Sequence, residues 1–288
     1  MIRTPPMIRC LHREDLAAAT SRWAGEGGAP GDKRHGFTVI ELLVVVAVIA
    51  VLLAVSLPVL TKARAVAAQQ RCSSNLRQLH LAWSSYLADH NGCFYQGPGA
   101  NWDYGGWRGT NNAWPRPLNH YIGFSDPNGI TQRTAKVFCC PADRGGIPPK
   151  NQLYEKAYNR FGTSYQTNRF LIGPYPCEAA CSKTAELDGM ISDRLPRLNQ
   201  DSVANPVLVL LMGDYGWVNQ WLPAFKASLD RKRLAEWHRR ADHYNMVFLD
   251  GHVALLEIRK GYYVTEDYYV LPFPGLFGLA REVQGPVD

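Results

Sequence analysis

The sequence of 288 residues predicts an α+β fold: one long N-terminal helix, its outer half packed on an antiparallel β-sheet, with loop-rich insertions. Three observations carry this expectation. An apolar run, Phe37–Leu60, flows into residues 61–89, which contain neither Gly nor Pro and repeat apolar side chains at helical spacing. Two runs of alternating apolar residues flank Asp250-Gly251 and read as a β-hairpin. The composition is 46% hydrophobic and 11% aromatic, with a mean hydropathy of −0.22. That is enough to build a buried core, and too polar for a multispanning membrane protein.

Residues 1–36 carry basic and acidic groups together and end in a Gly/Pro-rich stretch, Gly25–Arg34, that reads as a linker. The apolar run is long enough to cross a bilayer of about 30 Å as a helix. Glu41 is the anomaly within it. A carboxylate in a spanning helix costs about 2.5–3.5 kcal/mol on insertion scales, so it needs a partner. Residues 61–90 read as an amphipathic continuation. Cys72, Leu76, Leu79, Trp83 and Tyr86 share one face, and His90-Asn91-Gly92 is the stop.

Residues 91–288 read as a globular domain. Gly97–Pro117 is rich in Gly, Asn and Trp and is expected to be a long loop. Lys136–Cys139, Val207–Met212 and Tyr262–Val264 are expected strands. Thr184–Ile191 and Ser228–Arg240 are expected helices. Asp250 and Gly251 are expected to form a structural type I′ turn. The net charge is +6, and it is concentrated early. Residues 61–80 hold Lys62, Arg64, Arg71 and Arg77 without an acid. Of the 31 basic and 25 acidic groups, ten and five precede residue 81, which leaves the rest near neutrality. That balance argues against a dedicated nucleic-acid binder.

The string KRHGFTVIELLVVVAVIA, Lys33 to Ala50, resembles the processing site of type IV prepilins and type II secretion pseudopilins. The resemblance implies that residues 1–36 are a cytoplasmic leader removed by prepilin peptidase. Cleavage would fall between Gly36 and Phe37, and the new Phe37 amine would be methylated. It implies that Glu41 is the assembly carboxylate, paired with the Phe37 amine of a neighbouring subunit, and that Pro58 is the helix-kinking proline. Gly36 lacks a side chain, so a protease can approach its backbone closely. Cys72–Phe94 and Ala241–Glu257 also resemble long pseudopilin-like chains with a C-terminal His-x9-Asp-Gly signature. Asp250 and Gly251 match it, but Arg240 stands where the histidine belongs.

No catalytic constellation is expected. The sequence has no GxSxG, GxxxxGK[ST] or HExxH pattern. Cys72, Cys93, Cys139, Cys140, Cys177 and Cys181 are candidate disulfide residues, with the pairing open. No CxxC pair occurs, and adjacent Cys139 and Cys140 chelate poorly, so no metal site is assigned. His238, Asp242, His243, Asp250 and His252 read as a solvated helix end and hairpin. Arg231, Lys232, Arg233, Arg239 and Arg240 read as an exposed basic face. Tyr95, Trp102, Tyr104, Trp107 and Trp114 read as aromatics pinning a loop to the core, with a binding platform as the rival. No cofactor is expected. The resemblance suggests only calcium, through Asp214 and Asp230, without supporting ligand spacing.

The expected function is therefore a structural subunit, a pseudopilin of a type II secretion-like system. Its expected partners are prepilin peptidase, other pseudopilin subunits and inner-membrane lipid, with no nucleic acid. It would cross the inner membrane once, N-terminus cytoplasmic and C-terminal domain periplasmic. The alternatives are a type IV pilus subunit or minor pilin, for adhesion or DNA uptake, and a membrane-anchored glycan-binding or enzymatic ectodomain.

Overall fold

A computed structural model describes residues 37–96, 102–107, 116–124, 130–146, 155–173, 184–203, 205–222, 237–238 and 240–285. The leader, Gly36, Cys177, Cys181, Trp114, Asp230 and most of the expected helix Ser228–Arg240 lie outside them. The chain divides into two compact units, one ending at Ser56 and one starting at Leu57.

Helix α1 spans Val39–Asp89 and continues through Pro58. In the first unit every described residue is exposed. In the second unit the expected apolar face is buried: Cys72, Leu76, Leu79, Trp83 and Tyr86, joined by Ala82 and Leu87. Asn91 and Gly92 adopt left-handed φ values of 53° and 76°, and the Gly92 N–H donates to Leu87 O at 2.7 Å. That geometry ends the helix where His90-Asn91-Gly92 predicts.

The remaining described elements are short. They run α2 Leu118–Tyr121, α3 Ala157–Phe161, β1 Tyr165–Thr167, α4 Arg169–Ile172, α5 Ala185–Arg194, β2 Leu210–Asp214, α6 Trp217–Trp221, β3 His243–Phe248, β4 Val253–Glu257 and α7 Phe277–Val283. The four strands form one antiparallel sheet in the order β1-β2-β3-β4. A long apolar helix with this sheet is the α+β, pilin-like arrangement expected from the sequence.

The helix and sheet share a core through specific contacts. The indole of Trp83 lies 5.6–6.2 Å, centroid to centroid, from the rings of Tyr86, Phe94 and Tyr104. The Asn75 amide donates to Cys139 O at 2.9 Å and to Tyr165 Oη at 3.2 Å. Asn168 caps α4 and also donates to the carbonyls of Leu210 and Val270 at 2.8 and 2.7 Å. Such bonds satisfy backbone acceptors that strands as short as β1 leave unpaired.

Several expected elements differ. Lys136–Phe138 is a 3₁₀ turn rather than a strand. The Phe138 N–H closes on Ala135 O at 3.1 Å, and Phe138 alone of the three is buried. Tyr262–Val264 makes only an isolated bridge, Val264 to Tyr269. The chain turns back at Thr265, whose hydroxyl accepts the N–H groups of Asp267 and Tyr268. The strand expected at Val207–Met212 begins later, at Leu210. Asn205 takes a positive φ of 55°, and a turn closes from Leu208 N–H to Asn205 O at 3.0 Å. Helix α5 starts one residue after its Thr184 cap and runs three residues beyond the expected end.

The turn between β3 and β4 contains Asp250 and Gly251, but it is not type I′. That type needs positive φ at both central residues, and only Gly251 has it, at 94°. The Gly251 N–H donates to Phe248 O, while Asp250 Oδ1 accepts the His252 N–H at 3.1 Å. A Cβ on Gly251 would come within 2.6 Å of the His80 ring. His80 Nε2 in turn lies 3.1 Å from Leu249 O. The hairpin tip is thus docked on α1, and glycine lets it approach.

Candidate functional site

The first candidate site is the start of α1. Thr38 and Glu41 form a reciprocal cap. Glu41 N–H donates to Thr38 Oγ1 at 3.2 Å, and Thr38 N–H donates to Glu41 Oε2 at 2.8 Å. The Thr38 hydroxyl adds a bond to the same carboxylate at 3.0 Å. This capping box uses the T-x-x-E spacing present in the sequence, a signal hidden when Glu41 is read as a lone carboxylate. It holds Glu41 three residues beyond its Thr38 cap, with the carboxylate bonded to the Thr38 N–H.

From Phe37 to Leu60 every side chain is exposed. The helix is long and apolar enough to cross a membrane, with a mean hydropathy of 3.1 in its most apolar window. A stripe of Val, Leu and Ile with no cover is matched by lipid or by like helices. Pro58 sits inside the helix. Ser56 Oγ donates to Leu52 O at 2.7 Å and Thr61 Oγ1 to Pro58 O at 2.9 Å, so side-chain hydroxyls engage carbonyls around the missing proline donor.

The second candidate site is a buried cluster absent from the sequence expectations. Cys72 on α1, Cys140, Asp214 on β2 and His238 present four ligand-type atoms within 4.8 Å of one another. Cys72 Sγ donates to Asp214 Oδ1 at 3.0 Å. His238 Nε2 lies 3.2 Å from Asp214 Oδ2 and 3.6 Å from Cys140 Sγ. The Asn245 N–H donates to Asp214 Oδ2 at 2.8 Å and fixes the carboxylate. Burial pushes the Cys72 thiol well up. Burial also acts to raise Cys140, but its bonds to Cys72 and His238 outweigh this and pull it down. Burial acts to lower His238, and the bonds to Asp214 and Cys140 overcome it, lifting the imidazole to about 10.

Of His238, Asp242, His243, Asp250 and His252 only His238 joins this cluster, and Asp214, considered for calcium, meets two cysteines and a histidine instead. Cys72, Cys93, Cys139 and Cys140 are free thiols in the structure. Tyr104 is fully buried, and Tyr95, Trp102 and Trp107 pack against the core. The Trp107 indole N–H donates to Tyr158 O at 2.7 Å. The four described aromatics therefore pin their loop and form no open platform. A cavity of about 500 Å³ gathers Arg71, Arg133, Lys136 and Lys156 beside Asn75. These charges are scattered in sequence, so the overall neutrality of the domain conceals a locally basic site.

Comparison with known proteins bears on the segment that holds the first site. Residues 31–57 match the family described as "Prokaryotic N-terminal methylation motif". The chain is 34% identical over 62 residues to "Competence protein ComGC" of Halalkalibacterium halodurans, a match covering 22% of this chain and 61% of that protein. The chain thus spans less than two thirds of the length of that relative. No solved structure matches. The chain is prepilin-like in its N-terminal segment: it carries the prepilin-type methylation motif at the head of a membrane-anchor-length helix.

Proposed function

We propose that the chain is cut between Gly36 and Phe37 by a prepilin peptidase, N-methylated at Phe37, and assembled through α1 into a short fibre. Lipid covers residues 37–60 before assembly, and neighbouring copies cover them afterwards. The observation that supports this best is the coincidence of the methylation motif with a helix whose apolar first half has no cover within its unit. Within that half, Glu41 is the one charged group. An amine on a neighbouring subunit's Phe37 would offset its burial and fix the axial register.

Among fibre-forming systems, a type II secretion-like pseudopilus fits the near-neutral charge of residues 81–288. The ComGC likeness and the basic cavity favour DNA uptake as the second reading. Deletion of the gene separates them: accumulation of unsecreted protein inside the cell supports secretion, and loss of transformation with normal secretion supports uptake. For assembly itself, Glu41→Ala should leave the processed, methylated chain in the membrane but abolish multimers trapped by inter-subunit cross-linking. Multimers at the native level in that variant would refute the pairing.

A further inference from the structure

We propose that Cys72, Cys140, Asp214 and His238 form a closed, tetrahedral zinc site that fastens α1 to the sheet. This site stands whether or not α1 assembles into a fibre. The four residues come from well-separated parts of the chain, yet their ligand atoms converge within 4.8 Å. Around a tetrahedral zinc ion, bonds of about 2.3 Å to sulfur and about 2.0–2.2 Å to nitrogen and oxygen place ligand atoms roughly 3.3–3.8 Å apart. The distances of 3.0, 3.2 and 3.6 Å lie within about 0.3 Å of that range, and the widest separation, up to 4.8 Å, closes by about 1 Å as the side chains turn onto the ion.

The chemistry of the donors selects the ion. Two thiols exclude calcium and magnesium, which take oxygen ligands, while sulfur, imidazole and carboxylate together suit zinc. Burial selects the type of site. Cys72 is 0% exposed, Cys140 1% and Asp214 1%. With all four positions supplied by protein, no place remains for a reacting water, so the site is structural.

The supporting shell is in place. The Asn245 N–H holds one Asp214 oxygen at 2.8 Å. His238 is positioned through its neighbour: the Trp237 indole N–H donates to Gly145 O at 2.8 Å, and Arg144 Nη2 donates to Trp237 O at 3.2 Å. A cavity of about 350 Å³ lined by Arg64, Arg144, Trp237 and His238 reaches the cluster from one side. Binding displaces one proton from each thiol and any proton on His238 into solvent. Two thiolates, one carboxylate and a neutral imidazole leave the zinc complex one negative charge in excess, and Arg64 and Arg144 line the cavity that His238 also lines.

The test uses the full chain, purified in detergent under reducing conditions from cells supplied with zinc. Elemental analysis should give about one zinc per chain, as a single four-ligand site requires. Cys72→Ser and Cys140→Ser should each remove it, whereas Cys93→Ser and Cys139→Ser should retain it. Cobalt(II) added to chelator-stripped native protein should produce visible thiolate-to-cobalt absorption, a readout that does not depend on the variants folding. Metal-free protein whose Cys72 and Cys140 react as ordinary thiols or form a disulfide with each other would overturn the proposal. So would full metal content in both Cys72→Ser and Cys140→Ser, or cobalt binding without thiolate absorption.

Discussion

Thr38 and Glu41 hold each other at the first turn of α1, so Glu41 has two roles that substitution can separate. Its carboxylate accepts the Thr38 N–H as part of the cap, and in the proposed fibre it also neutralises an amine. Gln at position 41 keeps a carbonyl acceptor and can complete a capping box, but it carries no charge. A cap of this kind is worth about 1 kcal/mol. Glu41→Gln is therefore expected to retain the helical signal of the isolated protein by circular dichroism and to lose cross-linked multimers as fully as Glu41→Ala. Native-level assembly of the Gln variant, beside a defective Ala variant, would assign the effect to the cap instead. At this scale the sequence was informative where chemistry is local. The spacing of Gly36, Phe37, Glu41 and Pro58 is read along one short segment. The Cys72–Cys140–Asp214–His238 cluster was not legible, because its members meet only through tertiary packing and no ligand pair shares a short spacing. Adjacency makes Cys139 and Cys140 poor joint chelators, yet only Cys140 joins the cluster.

At the scale of elements, long periodic segments were legible and short ones were not. The helical face Cys72–Leu76–Leu79–Trp83–Tyr86 repeats over several turns, and all five residues are buried. Strand β1 spans only Tyr165–Thr167, too short for its alternation to show, and its pairing with β2 is fixed from outside by Asn168 and Tyr104. The Tyr104 hydroxyl donates to Tyr165 O at 3.0 Å. Asp143 is a similar external tie: its two oxygens accept from the N–H groups of Gly145, Ala157 and Tyr158 and from the Ser164 hydroxyl. The link between α3 and the aromatic loop depends on Gly162. It ends α3 at a φ of 79°, and its carbonyl accepts the Trp107 N–H at 3.2 Å. A Cβ there would overlap the Trp107 carbonyl oxygen. Gly162→Ala therefore combines an unfavourable φ with a backbone clash, and should destabilise the protein by more than about 1 kcal/mol. A thermal melt unchanged from the native protein would contradict that geometry.

At the scale of the whole molecule, two different solvents are served by one chain. Up to Ser56 the described residues are exposed and, apart from Thr38, Glu41 and Ser56, apolar, suited to lipid or to copies of themselves. From Leu57 on, a sheet and the second part of α1 enclose an aromatic core. Composition foretold this division, since a mean hydropathy of −0.22 with one concentrated apolar run leaves the remainder water-compatible. It did not foretell the basic cavity, which arises when Arg71, Arg133, Lys136 and Lys156 fold together. The central claim is that the apolar segment starts at a newly made N-terminus whose amine serves assembly. Mass spectrometry of the mature chain from native membranes measures this directly. The account predicts a first residue of N-methylated Phe37 in cells with the prepilin peptidase and the full leader in cells without it. Recovery of chains still beginning ahead of Gly36 from peptidase-competent cells would contradict it.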